Sequence, residues 1–321
     1  MISGMQFERA GQALLATLLL LAMLAPAGCA RPMPGAVAVS DENVADLEKE
    51  FVLSSGGGAT VQAPEPEPDG FATLRGRFVI NGSLAGTLAA LSPDKDLQVC
   101  GANVIPDEAL VIGSDRGIQN VMIYVETRKF KIPVGDPRWE HQDYLDRMNA
   151  VLDGPSAFDQ KNCRFVSHVF AMRASQTLTI LNSDSVGHNT DLQTASGLAA
   201  RSNYQVPGNG SVVYTPRYKS KAPFKVSCGA HSWMNSYVHV ADHPFFAVSA
   251  ADGSFQIKHV PSGVELEFRV WHESANKPGS VTVNDPEAQF SKGKLTRTFS
   301  AGEGVDWTIE IDSSNFRHLF N

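Results

Sequence analysis

Three side chains that bind soft or borderline metals stand close together in the stretch Val226-Ser227-Cys228-Gly229-Ala230-His231-Ser232-Trp233-Met234: Cys228, His231 and Met234. A fourth candidate, His188, lies in Ser185-Val186-Gly187-His188-Asn189-Thr190. One thiolate, two imidazoles and one thioether form the donor set of a copper site that carries electrons. A thiolate and two imidazoles in a plane, with a weak axial thioether, suit both the cuprous and the cupric ion with little rearrangement. Cys228 would give the thiolate, His188 and His231 the equatorial imidazoles, and Met234 the long axial bond. Zinc is the rival. Methionine is a poor ligand for it, and a zinc site would have to recruit a carboxylate such as Asp184 or Asp191.

Each residue also has an ordinary reading. Cys228 alone is a buried thiol at a strand end, His188 a turn histidine, Met234 a core residue and Trp233 a packing residue on the rim of the loop. His168 falls within an apolar stretch, where a cross-strand or core histidine is the simpler reading and a second-site ligand the alternative. His239, His243 and His272 fall near strand ends, while His141, His259 and His318 carry no pattern.

Three ligands from one short loop cannot enclose a metal, so the surrounding elements must deliver the fourth. Short alternating apolar runs separated by polar turns indicate antiparallel strands in a sandwich. These runs are Phe165–Met172, Gln176–Leu181, Gly210–Tyr214, Phe224–Cys228 and Ser236–Val240. His188 sits just past the second run, where a sandwich could set it beside the ligand loop. Upstream, Ala72–Ile80 alternates and Val121–Val125 is apolar throughout. Downstream, Phe245–Val248 and Ser254–Ile257 flank Ala251-Asp252-Gly253, a hairpin signal. Val264–Trp271, Gly279–Val283 and Val305–Ile311 complete the series. A helix is expected around Glu140–Leu152, and residues 83–117 are irregular. There is no internal repeat and no glycine-rich phosphate loop.

The N-terminal run Ala13–Ala25 is apolar and uncharged, and it follows Arg9. It is too short for a membrane span and reads as an export signal over residues 1–28. Ala27-Gly28-Cys29 resembles a bacterial lipobox, with Pro26 departing from it. Lipidation of Cys29 is one reading and ordinary cleavage nearby the other. Residues 29–70 hold Ser54-Ser55-Gly56-Gly57-Gly58 and Pro64-Glu65-Pro66-Glu67-Pro68, a composition that cannot bury enough apolar surface to fold, so they read as a stalk. Export places the chain in an oxidising compartment. With Cys29 acylated and Cys228 on metal, Cys100 and Cys163 remain to form a disulfide, the alternative being two buried thiols. The net charge is −7, from 27 basic and 34 acidic residues. A chain starting at Cys29 keeps that balance, since residues 1–28 hold one acid and one base. This argues against a nucleic-acid partner, which would need a basic face.

A Cys, two residues, a His, two residues and a Met is similar to the short ligand loop of the cupredoxins of amicyanin type, and Val186-Gly187-His188-Asn189 resembles their first-histidine turn. The resemblance covers residues 163–242, so one or two opening strands must come from before Cys163. It implies that Asn189 braces the ligand loop by hydrogen bonding. Ser232-Trp233 departs from the Pro-Phe usual there, which bears on tuning more than on ligation. The ordered region also resembles secreted bacterial cupredoxin-like proteins called methylamine-utilisation proteins, through NVMIYVET, CRFVSHV, NSDSVGHNT, VSCGAHSWMNSYVHV and DGSFQIKHVPSGVELEFRVWHE. The last stretch looks like the second half of a transthyretin-like, carboxypeptidase-regulatory β-sandwich, and LRGRFVING and NVMIYVE suit its first half. That pathway does not follow from the likeness.

The fold expected is therefore all-β: a cupredoxin-like Greek-key β-sandwich combined with a transthyretin-like one. The latter would span 71–135 and 243–321, with 136–162 connecting and 163–242 holding copper. The function expected is an exported, lipid-anchored protein that passes single electrons between redox protein partners through one copper ion. No enzymatic step is implied, because the His-x-His and His-Cys-His clusters of multicopper enzymes are absent. A copper store and a non-copper interaction module are the other readings.

Overall fold

A computed structural model describes residues 67–316, except 84–85, 87, 114, 128–130, 155–157, 194–201, 276–280 and 292. The expected export signal, Cys29, nearly all of the expected stalk, and His318 lie outside the described residues. In chain order the first strands are β1 (Gly70–Asn81), β2 (Met122–Val125), β3 (Val151–Leu152), β4 (Phe158–Lys161), β5 (Arg164–Phe165), β6 (Val169–Arg173) and β7 (Thr177–Asn182). Next come β8 (His188–Leu192), β9 (Ser202–Val206), β10 (Gly210–Tyr214), β11 (Phe224–Ser227), β12 (Asn235–Ala241) and β13 (Phe246–Val248). The last are β14 (Ser254–Ser262), β15 (Glu265–Trp271), β16 (Val281–Val283), β17 (Gln289–Ser291), β18 (Lys294–Thr298) and β19 (Gly304–Asp312). Among the described residues, no helix is long and apolar enough to cross a membrane.

The strands form four sheets, and the fold is all-β. Sheet β14-β1-β19-β16 and sheet β13-β2-β15-β18-β17 enclose a core that includes Phe78, Ile123, Phe268, Phe299 and Trp307. We call this the outer sandwich. Sheet β10-β7-β4-β5, with β3 beside β7, and sheet β6-β12-β11-β8-β9 enclose a second core that includes Phe158, Phe165, Ile180, Val226 and Val238. We call this the inner sandwich. β1 shows the period-two rule, with Ala72, Leu74, Phe78 and Ile80 buried on one face. β2 is buried on both faces, which is why Val121–Val125 reads as continuously apolar. Ile123 and Val125 enter the outer core, whereas Met122 and Tyr124 meet Val169 of the inner sandwich in a small third cluster.

Several expected elements differ. Phe165–Met172 is two strands, because the chain leaves one inner sheet after Phe165 and joins the other at Val169. The expected helix at Glu140–Leu152 shrinks to Gln142–Leu145, and β3 takes up Val151–Leu152 beside β7. Asp252-Gly253 makes the tight turn, with Gly253 at φ 83°, but it is no hairpin: β13 pairs with β2 and β14 with β1, so the turn is a corner between sheets. Strands β8 and β9 lie where no strand was expected. His188–Leu192 is polar yet wholly buried, because it is paired on both edges by β9 and β11.

The segment 136–162, expected to connect, includes strands. From Val151 onward the segment contributes β3 and β4, the opening strands of the inner sandwich. The irregular segment 83–117 also divides. Leu88 and Leu110 pack on the outer core, while Leu91, Val99, Cys100 and Ile105 pack on the inner one.

Candidate metal centre

The ligand loop is the connection between β11 and β12. The antiparallel ladder brings Ser227 opposite Asn235. The Cys228 N–H donates to Met234 O at 3.1 Å, and the Met234 N–H to His231 O at 3.0 Å. Cys228 and Met234 thus face each other at the loop's base, both buried. On the other side of β11, Ser227 pairs with Asp191 of β8. Continuing that antiparallel ladder sets Asn189 and His188 alongside the loop.

The three strongest candidates meet. One ligand atom from each of His188, Cys228 and His231 lies within 4.8 Å of the others, and all three residues are buried. His188 Nδ1 is 2.9 Å from His231 Nδ1, and Cys228 Sγ is 3.7 Å from His231 Nδ1. The ring nitrogens turned away from this point are both taken by carboxylates: His188 Nε2 lies 2.9 Å from Asp184 Oδ2, and His231 Nε2 2.7 Å from Asp96 Oδ2. Such partners fix the tautomer and leave the Nδ1 lone pairs for a metal. Burial opposes ionisation of the Cys228 thiol, but hydrogen bonds from His188, the Asn189 backbone and His231 bring it down to about 6. The metal-binding thiolate form is therefore the one favoured at neutral pH. Burial likewise opposes charge on His188, while its bonds to Asp184 and Cys228 raise it to about 9, so in the metal-free site His188 carries a proton at neutral pH that a metal binding at Nδ1 would displace. A thiolate with two oriented imidazoles fits a copper or zinc ion.

Asn189 sits where bracing was expected. Its Oδ1 accepts from the N–H groups of Gly229 and Ala230 at 2.8 and 3.1 Å, and its backbone N–H donates to Cys228 Sγ at 3.4 Å. Its Nδ2 donates to Asn203 Oδ1 at 2.9 Å. The Trp233 ring stands edge-on to His231, and its Nε1 donates to Cys163 O at 3.0 Å.

Cys100 and Cys163 are joined in a disulfide, and Cys228 is the free cysteine among the described residues. The bond carries more than a staple. Asn162 and Cys163 are the left-handed central pair of the β4–β5 hairpin, the geometry of a two-residue primed turn. Their N–H groups both donate to Asp184, at 2.7 and 2.8 Å, and so hold the carboxylate that holds His188. Cys100 ends the short helix Leu97–Cys100, which starts just after Asp96.

Asp184, weighed above as a zinc ligand, instead sits behind His188. Asp191 is buried in the β8–β11 ladder. Asp96 was missed altogether, being 135 residues from His231 in an irregular stretch. His168 bonds Glu273 across the two sandwiches, and His239 and His243 are buried among neighbours.

No family model matches the chain, and no curated protein matches it. Among solved structures, an oxidised amicyanin variant is 16% identical over 29% of this chain and 82% of its own, with a TM-score of 0.24. A reduced Cu(I) amicyanin variant is 18% identical over 27% and 83%, with a TM-score of 0.23. A copper-containing nitrite reductase from Thermus scotoductus SA-01 is 12% identical over 27% and 22%, with a TM-score of 0.25.

Proposed function

We propose that this protein holds one copper ion between His188, Cys228, His231 and Met234 and uses it to pass single electrons between redox protein partners outside the cytoplasm. A lipid on Cys29 and the stalk beyond it would tether it to a membrane. The observation that carries the reading is the convergence of the Cys228 sulfur and two imidazole Nδ1 atoms, each imidazole backed by a carboxylate. Copper there would supply a one-electron couple with little change of ligand geometry. The protein's part is to keep the donors fixed and dry. Asn189 locks the loop, Asp184 and Asp96 hold the tautomers, and the two ligand histidines are 2% and 0% exposed. With no imidazole edge open to solvent, copper storage without electron exchange is the second reading.

The test is the visible spectrum of the copper-loaded chain. An intense band at about 600 nm is expected from a Cu(II)–thiolate bond and should vanish in Cys228→Ser. Cu(II) bound without such a band sinks the electron-transfer reading. A stable reversible potential separates a carrier from a store.

A further inference from the structure

Two histidines without any sequence pattern, His141 and His259, lie 118 residues apart and meet on the surface of the outer sandwich. Their rings stack with centroids 3.7 Å apart and 5° between planes. Asp143 completes a cluster: its Oδ2 is 3.0 Å from His259 Nε2, and its Oδ1 is 3.6 Å from His141 Nδ1. One ligand atom from each of the three lies within 4.8 Å of the others. We propose that His141, Asp143 and His259 form a second metal site, for a borderline divalent ion such as zinc(II) or copper(II).

The backbone is shaped to bring these groups together. Ala72 of β1 pairs with Val260, but Leu74 pairs with Ile257, so Lys258 and His259 together oppose the single residue Thr73. This is a β-bulge, a device that re-aims a side chain. His259 holds it with φ at 50°, an uncommon conformation for a non-glycine residue and one that neighbouring structure must maintain. Part of that support is the Tyr144 hydroxyl, which donates to Lys258 O at 2.7 Å. On the facing segment, His141 is the residue before the helix Gln142–Leu145, and its Nδ1 accepts the Asp143 N–H at 3.2 Å. Phe71 stands edge-on to both imidazoles.

The donor chemistry selects the ion. Two imidazoles and one carboxylate suit zinc(II) or copper(II); magnesium and calcium want oxygen alone, and a cuprous ion wants softer donors. Ligand bonds of about 2.1 Å place neighbouring donors roughly 3.4 Å apart. The cluster therefore closes by rotation of its side chains, the two parallel rings splaying so that their lone pairs converge. Those side chains are 35%, 66% and 26% exposed, in chain order, so they can turn and an ion can reach them. Three protein ligands leave the remaining positions to water. Bound metal would clamp the 136–150 segment onto the sheet edge at β14.

The test is equilibrium dialysis of the full chain against zinc(II) at neutral pH, with thermal melting beside it. His141→Asn keeps a residue able to cap the helix, His259→Asn keeps one that tolerates φ above zero, and Asp143→Asn alters an exposed group. All three should melt like the parent in chelator. Zinc that also enters the Cys228 centre does so in parent and variants alike, so the difference reports this cluster and not that centre. The parent is expected to bind one more zinc than each variant, or to bind it at least about 10–100-fold more tightly, because losing a ligand costs no less than losing a ligand's supporting partner. Zinc should also raise the melting temperature of the parent more than that of the variants. Equal stoichiometry and affinity in parent and all three variants would overturn the site.

Discussion

Asp96 stands where an aspartate ordinarily caps a helix, yet its side chain accepts no bond from the helix that follows. Its carboxylate is spent on His231 Nε2, and its φ of 50° turns it there. An imidazole that donates to a carboxylate is a stronger ligand, and the negative charge favours the more positive oxidation state of whatever metal it binds. Asp96→Asn keeps an acceptor for the His231 N–H and removes the charge. With copper bound, the variant is expected to retain the visible band while its reduction potential rises. Asp96→Ala leaves the nitrogen without a partner and should also weaken copper binding, by about 10–100-fold. Potentiometric titration and chelator competition on the same samples check both. A potential that moves in neither variant would mean that Asp96 holds the loop only mechanically. Cys228, His231 and Met234 stand out as candidates in the sequence because they are close together in it. Asp96 does not, because nothing local marks a residue whose partner is reached only through the folded chain.

At the scale of strands, a half-buried polar knot ties the two sheets of the outer sandwich together near its last strands. Asp285 Oδ2 accepts from Trp307 Nε1 at 2.8 Å and from Arg297 Nε at 2.9 Å, linking the β16–β17 connection to β18 and β19. Burial alone would raise the Asp285 carboxyl, but the bonds from Trp307 and Arg297 outweigh it and leave it below the ordinary carboxylate value. A carboxylate depressed in the folded state stabilises the protein above the unfolded value of about 3.9, and that stability is lost as pH falls through the lower folded value. Asp285→Asn is therefore expected to cost about 1–3 kcal/mol at neutral pH and to flatten the decline of melting temperature below pH 4. A melting curve against pH that parallels the parent at every point would show that the knot is not a stability element. Strand-scale features divide between the legible and the hidden for a physical reason. The alternation of Leu74, Phe78 and Ile80 advertises one buried face, and the apolar run at β2 advertises two. The polar His188–Leu192 run gave no such signal, because its burial is supported by hydrogen bonds on both edges rather than by apolar side chains. The Asp-Gly pair marks a tight turn, but the hairpin expected there does not form, because local sequence does not say which sheets its flanking strands join.

Over the whole molecule, the chain builds the outer sandwich and leaves it twice. The first excursion, around Leu91–Ile105, carries Asp96 and Cys100; the second, from Val151 to Ala241, carries His188, Cys163 and the ligand loop. The Cys100–Cys163 bond joins the two excursions beside the site, so the candidate centre is complete only when both are in place. The sandwiches meet across a seam formed by Met122, Tyr124 and Val169, flanked by Tyr237 against Trp271, by Tyr124 against His239, and by the His168–Glu273 pair. The described residues form one compact unit. Four crossings of the chain and an apolar seam should make the two cores unfold together. Val169→Asp places an unpaired charge in the seam, where burial costs several kcal/mol, while leaving Phe158 and Ile180 of one core and Phe78 and Trp307 of the other untouched. Calorimetry of the parent is expected to show one transition, and of Val169→Asp two, with a visible copper band, where present, lost in only one of them. A single, merely lowered transition in the variant would assign the coupling to the chain crossings and the disulfide instead of the seam.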